Sequence, residues 1–170
     1  MSHESDLEEA ALQLAQSAFD AARAGDAAAL RKVLDLGLPA SARNAKGDSL
    51  LMLASYHGHL EAAQLLLERG ADPEVANDAG QLPLAGTAFK GDLKMAALLL
   101  DNGARDDAVD LGGRTALFFA AMFDRVDFLE LLLSRGAALG HADATGATAL
   151  AAAQAMGAQK AAAYLEERAR

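Results

Sequence analysis

The sequence predicts an all-α repeat fold, a solenoid of about five helix-turn-helix units with capping helices at its ends. Three observations predict it. Glycines recur at Gly47, Gly80, Gly113 and Gly146, and again at Gly37, Gly70, Gly103 and Gly136, always 33 residues apart. Leucines keep the same step, at Leu51, Leu84, Leu117 and Leu150 and at Leu66, Leu99, Leu132 and Leu165, with Val33 opening the second column. The apolar content, 52% of the chain, is largely Ala and Leu, the strongest apolar helix formers, while aromatic residues make up only 5%. Columns that hold one period without insertion or deletion define a stack in which each unit buries its apolar faces against its neighbours.

The elements follow in order. Ser5-Asp6-Leu7-Glu8 fits a capping box, and Leu7, Ala11, Leu14 and Ala18 recur at helical spacing. One entry helix is expected from Asp6 to Ala24, with Leu14 standing where later units carry the turn glycine. In the second unit Asn44-Ala45-Lys46-Gly47-Asp48 reads as a turn, in which Gly47 adopts a conformation that a side chain would penalise. Ser49 then caps a short first helix, Leu50 to His57, ended by Gly58; Thr115 and Thr148 stand ready for the same task later. Its inward positions, Leu51, Ala54 and Ser55, are mostly small, so the adjacent unit comes close.

A second helix runs from Leu60 to Arg69, with Leu65, Leu66 and Leu67 as its buried rib and Gly70 as its stop. Pro73 cannot extend it, because proline has no amide donor and a fixed φ. The plan repeats in units over 5–43, 44–76, 77–109, 110–142 and 143–170, within a single domain over 1–170. A closing helix is expected over Gln159 to Arg170, its outer surface kept wet by Glu166, Glu167, Arg168 and Arg170.

Within each unit the pattern resembles the ankyrin repeat. The family's first-helix signature, T-P-L-H-x-A, is matched in part by Ser49-Leu50-Leu51-Met52-Leu53-Ala54, Leu82-Pro83-Leu84, Thr115-Ala116-Leu117-Phe118-Phe119-Ala120 and Thr148-Ala149-Leu150. The second-helix signature stands at Leu65-Leu66-Leu67-Glu68-Arg69-Gly70-Ala71-Asp72-Pro73, at Leu98-Leu99-Leu100-Asp101-Asn102-Gly103-Ala104 and at Leu131-Leu132-Leu133-Ser134-Arg135-Gly136-Ala137. The resemblance covers roughly Phe19 to Leu165. Two departures stand out. The signature His is missing, its column reading Phe19, Met52, Ala85, Phe118 and Ala151, so apolar packing is expected to replace its hydrogen bonds. In the fourth unit Asp124 replaces the glycine between helices, and Asp tolerates the left-handed conformation better than most residues.

Charge and composition exclude several functions. The net charge is −9, and Lys and Arg are scattered singly apart from Arg31-Lys32, so nucleic acid and anionic membranes are not expected partners. The chain has no cysteine, hence no disulfide, thiolate nucleophile or thiolate metal site. The first residues lack the basic start and apolar run of a secretory signal, and no stretch approaches the ~20 apolar residues of a membrane span. A soluble, cytoplasmic, monomeric protein without a cofactor is expected. Ser17, Ser41, Ser49, Ser55 and Ser134 lie in no nucleophile motif, and no glycine-rich loop opens onto Lys-Ser or Lys-Thr. His57 and His59 offer two imidazoles where a zinc site wants about three or four protein ligands, and His59 shares its column with Asp26 and Asp92.

The resemblance implies where a partner protein touches: the turn tips and the exposed ends of the first helices, along one concave side. Mapped here, the tips include Lys46, Asp48, Gln81 and Arg114. The helix ends give two columns, Tyr56, Phe89, Met122 and Ala155, and His57, Lys90, Phe123 and Met156, with Phe119 adjoining. These large apolar groups either form an exposed binding stripe or pack between repeats to fill space left by the alanines. The expected function is a non-catalytic protein-binding module, in its narrower form a dedicated inhibitor or regulator. The alternative, an enzyme or enzyme subunit with a small-molecule pocket, has no residue pattern behind it.

Overall fold

A computed structural model describes residues 2–170. Among the described residues, ten α-helices fall into five pairs: α1 (Ser2–Ala24) with α2 (Ala27–Asp35), α3 (Leu50–Tyr56) with α4 (Leu60–Glu68), α5 (Pro83–Lys90) with α6 (Leu93–Asp101), α7 (Ala116–Met122) with α8 (Val126–Ser134), and α9 (Ala149–Met156) with α10 (Gln159–Arg168). Extended pairing among them is limited to two isolated bridges across turns, Arg43 with Ser49 and Ala142 with Thr148. The chain is the all-α repeat stack that its period predicts.

The helices pack as two compact units, Met1–Asp72 and Pro73–Arg170. In the first, α1 lies on α2 and α3, while α4 lies on both α2 and α3. In the second, α5 packs on α6 and α7, α7 on α8 and α9, α6 on α8, and α10 on α7, α8 and α9. The first helices bury small residues: Ala54, Ala88, Ala120, Ala121 and Ala153 are fully buried. The second helices supply the bulk, with Leu66, Leu99, Leu132, Leu165 and Phe128 fully buried. Where the family's His is missing, Phe19, Met52 and Phe118 are buried in its place; Ala85 is half-buried and Ala151 exposed.

The turns are built on one device. Asn44, Asn77, Asp110 and Asp143 each point a side-chain oxygen at two backbone N–H groups, those of the second and fourth residues onward: Lys46 and Asp48, Ala79 and Gln81, Gly112 and Arg114, Thr145 and Ala147. In three of these turns the side chain at the fourth position completes the pair. An asparagine donates to Asp48 or Gln81, whereas Asp110 accepts from Arg114. Donor and acceptor change together, so the same closed turn survives the change of residues. Gly113 has φ +76°, and a Cβ there would lie 3.0 Å from the Ala144 backbone nitrogen, which itself donates to the Gly112 carbonyl. Only glycine allows both the conformation and that approach.

Helix starts are capped as the sequence implies. The hydroxyls of Ser49, Thr115 and Thr148 accept from the N–H of Met52, Phe118 and Ala151. Asp26 and Asp92 do the same for Ala29 and Met95 at the second helices. The expected capping box is corrected: α1 begins at Ser2, and Ser5 lies within it. Ser and Glu are comfortable on an exposed helical face, and Glu4 in the first turn suits the positive end of the helix dipole.

Asp124 has φ +57°, the one non-glycine positive φ among the described residues. It also does something its own segment does not reveal. Its carboxylate accepts from the Ala161 N–H at 2.7 Å, in the first turn of α10. The N-cap of α10 is Ala158, which has no side chain for the task. The preceding repeat thus caps a helix that has lost its own cap. Asp124→Ala is expected to cost about 1–3 kcal/mol, combining a lost cap with a poorly tolerated backbone angle. Asp124→Gly should cost less, because it keeps the angle and loses only the cap. Urea unfolding of the two variants checks this; a glycine variant more stable than the parent would show that the cap contributes nothing.

Candidate protein-interaction surface

In the first unit, Tyr56 ends α3 and is exposed, with the exposed His57 following as the helix C-cap. Their rings meet edge to face at 5.4 Å, and His57 stacks on His59 at 6.2 Å. His59 is engaged elsewhere as well. Its Nε2 lies 2.7 Å from the Arg23 carbonyl near the end of α1, and its ring covers Gly25 where a Cβ would collide with it. This ring bridges successive repeats. No group of three or more His, Cys, Asp or Glu suited to a metal ion occurs among the described residues. Lys46 is exposed at its turn tip, while Asp48 is half-buried and bonded within the turn.

The second unit carries the larger apolar groups. Phe89 near the end of α5 is 45% exposed and meets the half-buried Phe123 edge to face at 4.9 Å. The two rings belong to successive repeats, so Phe89 both packs on its neighbour and faces solvent. Lys90 and Met156 are exposed; Met122 is half-buried. Arg125 lies against Gly91 and donates to the Phe89 carbonyl at 3.3 Å, in the role that His59 plays in the first unit. Phe119 is half-buried beneath the Arg114 guanidinium, 5.0 Å from its ring centroid, a cation–π arrangement. Gln81 is exposed, its side-chain oxygen accepting from Asn77.

Arg114 is held by Asp110 at 2.8 Å, and the Asp110 side chain is nearly buried. Burial pushes that carboxyl upward, but the hydrogen bonds from Arg114 and from the N–H of Gly112 outweigh it and hold it below the usual carboxylate range. A depressed carboxylate stabilises the fold above its unfolded value, and that contribution disappears as pH falls through the folded value. Asp110→Asn keeps the turn acceptor and loses the charge. It should cost about 1 kcal/mol at neutral pH and flatten the loss of stability below about pH 4. Denaturant midpoints across that range are the check; an unchanged acid slope would show the pair to be inert.

One turn-tip position is more exposed than its neighbours. Leu111 is 81% exposed at a turn tip, resting on Gly80, with Val109 exposed nearby. Its column otherwise holds Ala45, Asp78 and Ala144, and a lone leucine among small and polar tips was the signal available.

Stacked helix pairs with locked turns and exposed first-helix ends define a class, the helical-repeat scaffold. The chain belongs to the ankyrin-repeat family: the family model for three ankyrin repeats matches residues 18–110 and 84–169. Ankyrin repeats generally mediate protein–protein interaction. A Pseudomonas aeruginosa protein named as ankyrin repeat protein PA3287 is 57% identical over 47 residues, which is 28% of this chain and 28% of that protein. The match thus spans little more than a quarter of the relative's length. No helix among the described residues is long and apolar enough to cross a membrane.

Proposed function

We propose that the chain is a non-catalytic, monomeric, cytoplasmic module that binds one protein partner without a cofactor, and that it acts as a dedicated inhibitor or regulator by covering part of that partner. The carrying observation is Phe89, a large ring left nearly half exposed while braced by Phe123. Met122, Met156, Lys90, Arg114 and Phe119 extend this binding surface within the second unit; Lys46, Asp48, Tyr56 and His57 make a candidate patch of their own in the first. Aromatic and Met side chains are enriched at interfaces, and a ring already held in place loses little freedom on binding. The net charge of −9 favours a neutral or basic partner surface.

The shifted ionisations support a binding role over a catalytic one. Asp107 is lowered chiefly by its hydrogen bond from Arg105, and Asp143 by that from Thr145. Both causes are turn neighbours rather than groups converging on a cleft. Capture from the native cytoplasm with the parent chain, Phe89→Ala and Glu167→Gln as bait tests the proposal. One protein should be recovered in near-stoichiometric amount by the parent and Glu167→Gln, and at least about fivefold less by Phe89→Ala. Equal recovery by all three would remove Phe89 from the interface.

A further inference from the structure

The N-terminal half of α1 is a helix exposed along its length. From His3 to Gln13 every residue is exposed, and burial begins only at Leu14. Further along, Ala18, Ala21 and Ala22 are buried where α1 meets α2 and α3. The face that they occupy continues upstream through Leu14, Ala11, Ala10 and Leu7, at helical steps of three and four residues. The apolar stripe therefore outruns the helices that cover it. Leu7 is 68% exposed.

The opposite face maintains itself. Gln13 donates to Glu9, Gln16 to Asp20 and Arg23 to Asp20, all one helical turn apart. Those contacts hold the helix without using the stripe. An isolated helical segment is marginal in water, and most helical stability in proteins comes from packing an apolar face.

Charge indicates what covers it. Glu4, Asp6 and Glu8 flank Leu7, and the first Lys or Arg in α1 is Arg23, already paired with Asp20 at 3.0 Å. A second copy laid along the stripe, in either direction, would bring acids against a segment with no Lys or Arg before Arg23. We propose that this half of α1 is a second docking element, which inserts as a helix into an apolar groove bordered by Lys and Arg on a partner protein. Leu7, Ala10, Ala11 and Leu14 supply the i, i+3, i+4 and i+7 contacts of helix-in-groove recognition, and the carboxylates of Glu4, Asp6 and Glu8 beside the stripe meet the basic rim. This element is separate from Phe89 and does not depend on the role proposed for that ring.

The probe is a labelled synthetic helix with Leu at the seam positions and Lys beside them, titrated with the full chain at about 0.15 M salt and followed by fluorescence anisotropy. The parent chain should give saturable binding. Leu7→Gln and the double change Glu4→Lys, Glu8→Lys should each weaken it by at least about tenfold, with melting unchanged. Glu130→Lys with Glu167→Lys alters net charge equally at exposed positions elsewhere and should stay within about twofold, as should Phe89→Ala. No saturable binding, unchanged binding by Leu7→Gln, or equal weakening by both charge-reversal pairs would overturn the proposal. So would sedimentation showing a dimer of the parent chain that Leu7→Gln dissolves, since the occupant would then be a second copy.

Discussion

Replacing Phe128 with alanine is expected to destabilise the protein by about 3–5 kcal/mol, with a fall in melting temperature on the order of 10 °C. Phe128 is the largest fully buried side chain, in the first turn of α8. Its repeat column reads Ala62, Met95, Phe128 and Ala161, all fully buried. Within the second unit the ring thus stands in register between a methionine on α6 and an alanine on α10, both helices packed on α8. Alanine at 128 would leave space that Ala161 cannot fill, and α10 is fixed at that residue by the Asp124 cap. Partial collapse is the most that can follow, so both the transfer and the cavity contributions should appear. Denaturant unfolding checks it; a cost below about 1 kcal/mol would mean that the unit repacks freely.

Leu99→Ala is expected to cost about 2–5 kcal/mol for a related reason. Leu99 lies fully buried in α6, in the column of Leu66, Leu132 and Leu165. Within its unit α6 packs on both α5 and α8, so truncating Leu99 loosens its own pair and the contact with the next one. Val33 opens the same column and is slightly less buried. Val33→Ala should therefore cost less, about 1–3 kcal/mol, because a smaller group is removed from a less enclosed place. Equal costs at both positions would contradict the reading of a graded stack.

The fold was legible because its cause is periodic. Gly47, Gly80, Gly113 and Gly146 repeat a backbone demand, and the leucine columns repeat a burial demand, so neither depends on which distant residue is the neighbour. The features that sequence missed depend on pairs from different repeats. From its own segment Asp124 reads only as a tolerable substitute for glycine; its bond to Ala161 links residues 37 apart. The trace existed, since Ala158 breaks a column of Asp26, His59, Asp92 and Arg125 in the unit after Asp124. His59 and Arg125 follow the same logic, each reaching back to a carbonyl of the preceding repeat. The start of α1 was placed late because a capping box and an exposed helical turn use the same residues, Ser5 and Glu8.

For the interaction surface, sequence supplied the columns but not the exposure. Phe89, Phe119 and Phe123 were alike as aromatics at helix ends. Their fates differ because Arg114 covers Phe119 and Phe89 shields Phe123, leaving Phe89 the most open of the three.

The central claim is that Phe89 is presented to a partner rather than used to hold the stack together. The most direct test is denaturant unfolding of Phe89→Ala beside Leu99→Ala. Phe89→Ala gives up an edge-to-face pair with Phe123 and a half-buried surface, so a loss of about 1 kcal/mol is predicted, well short of the Leu99→Ala cost. Unfolding of Phe89→Ala at as low a denaturant concentration as Leu99→Ala would show that the ring is core and that the binding surface has no centre there.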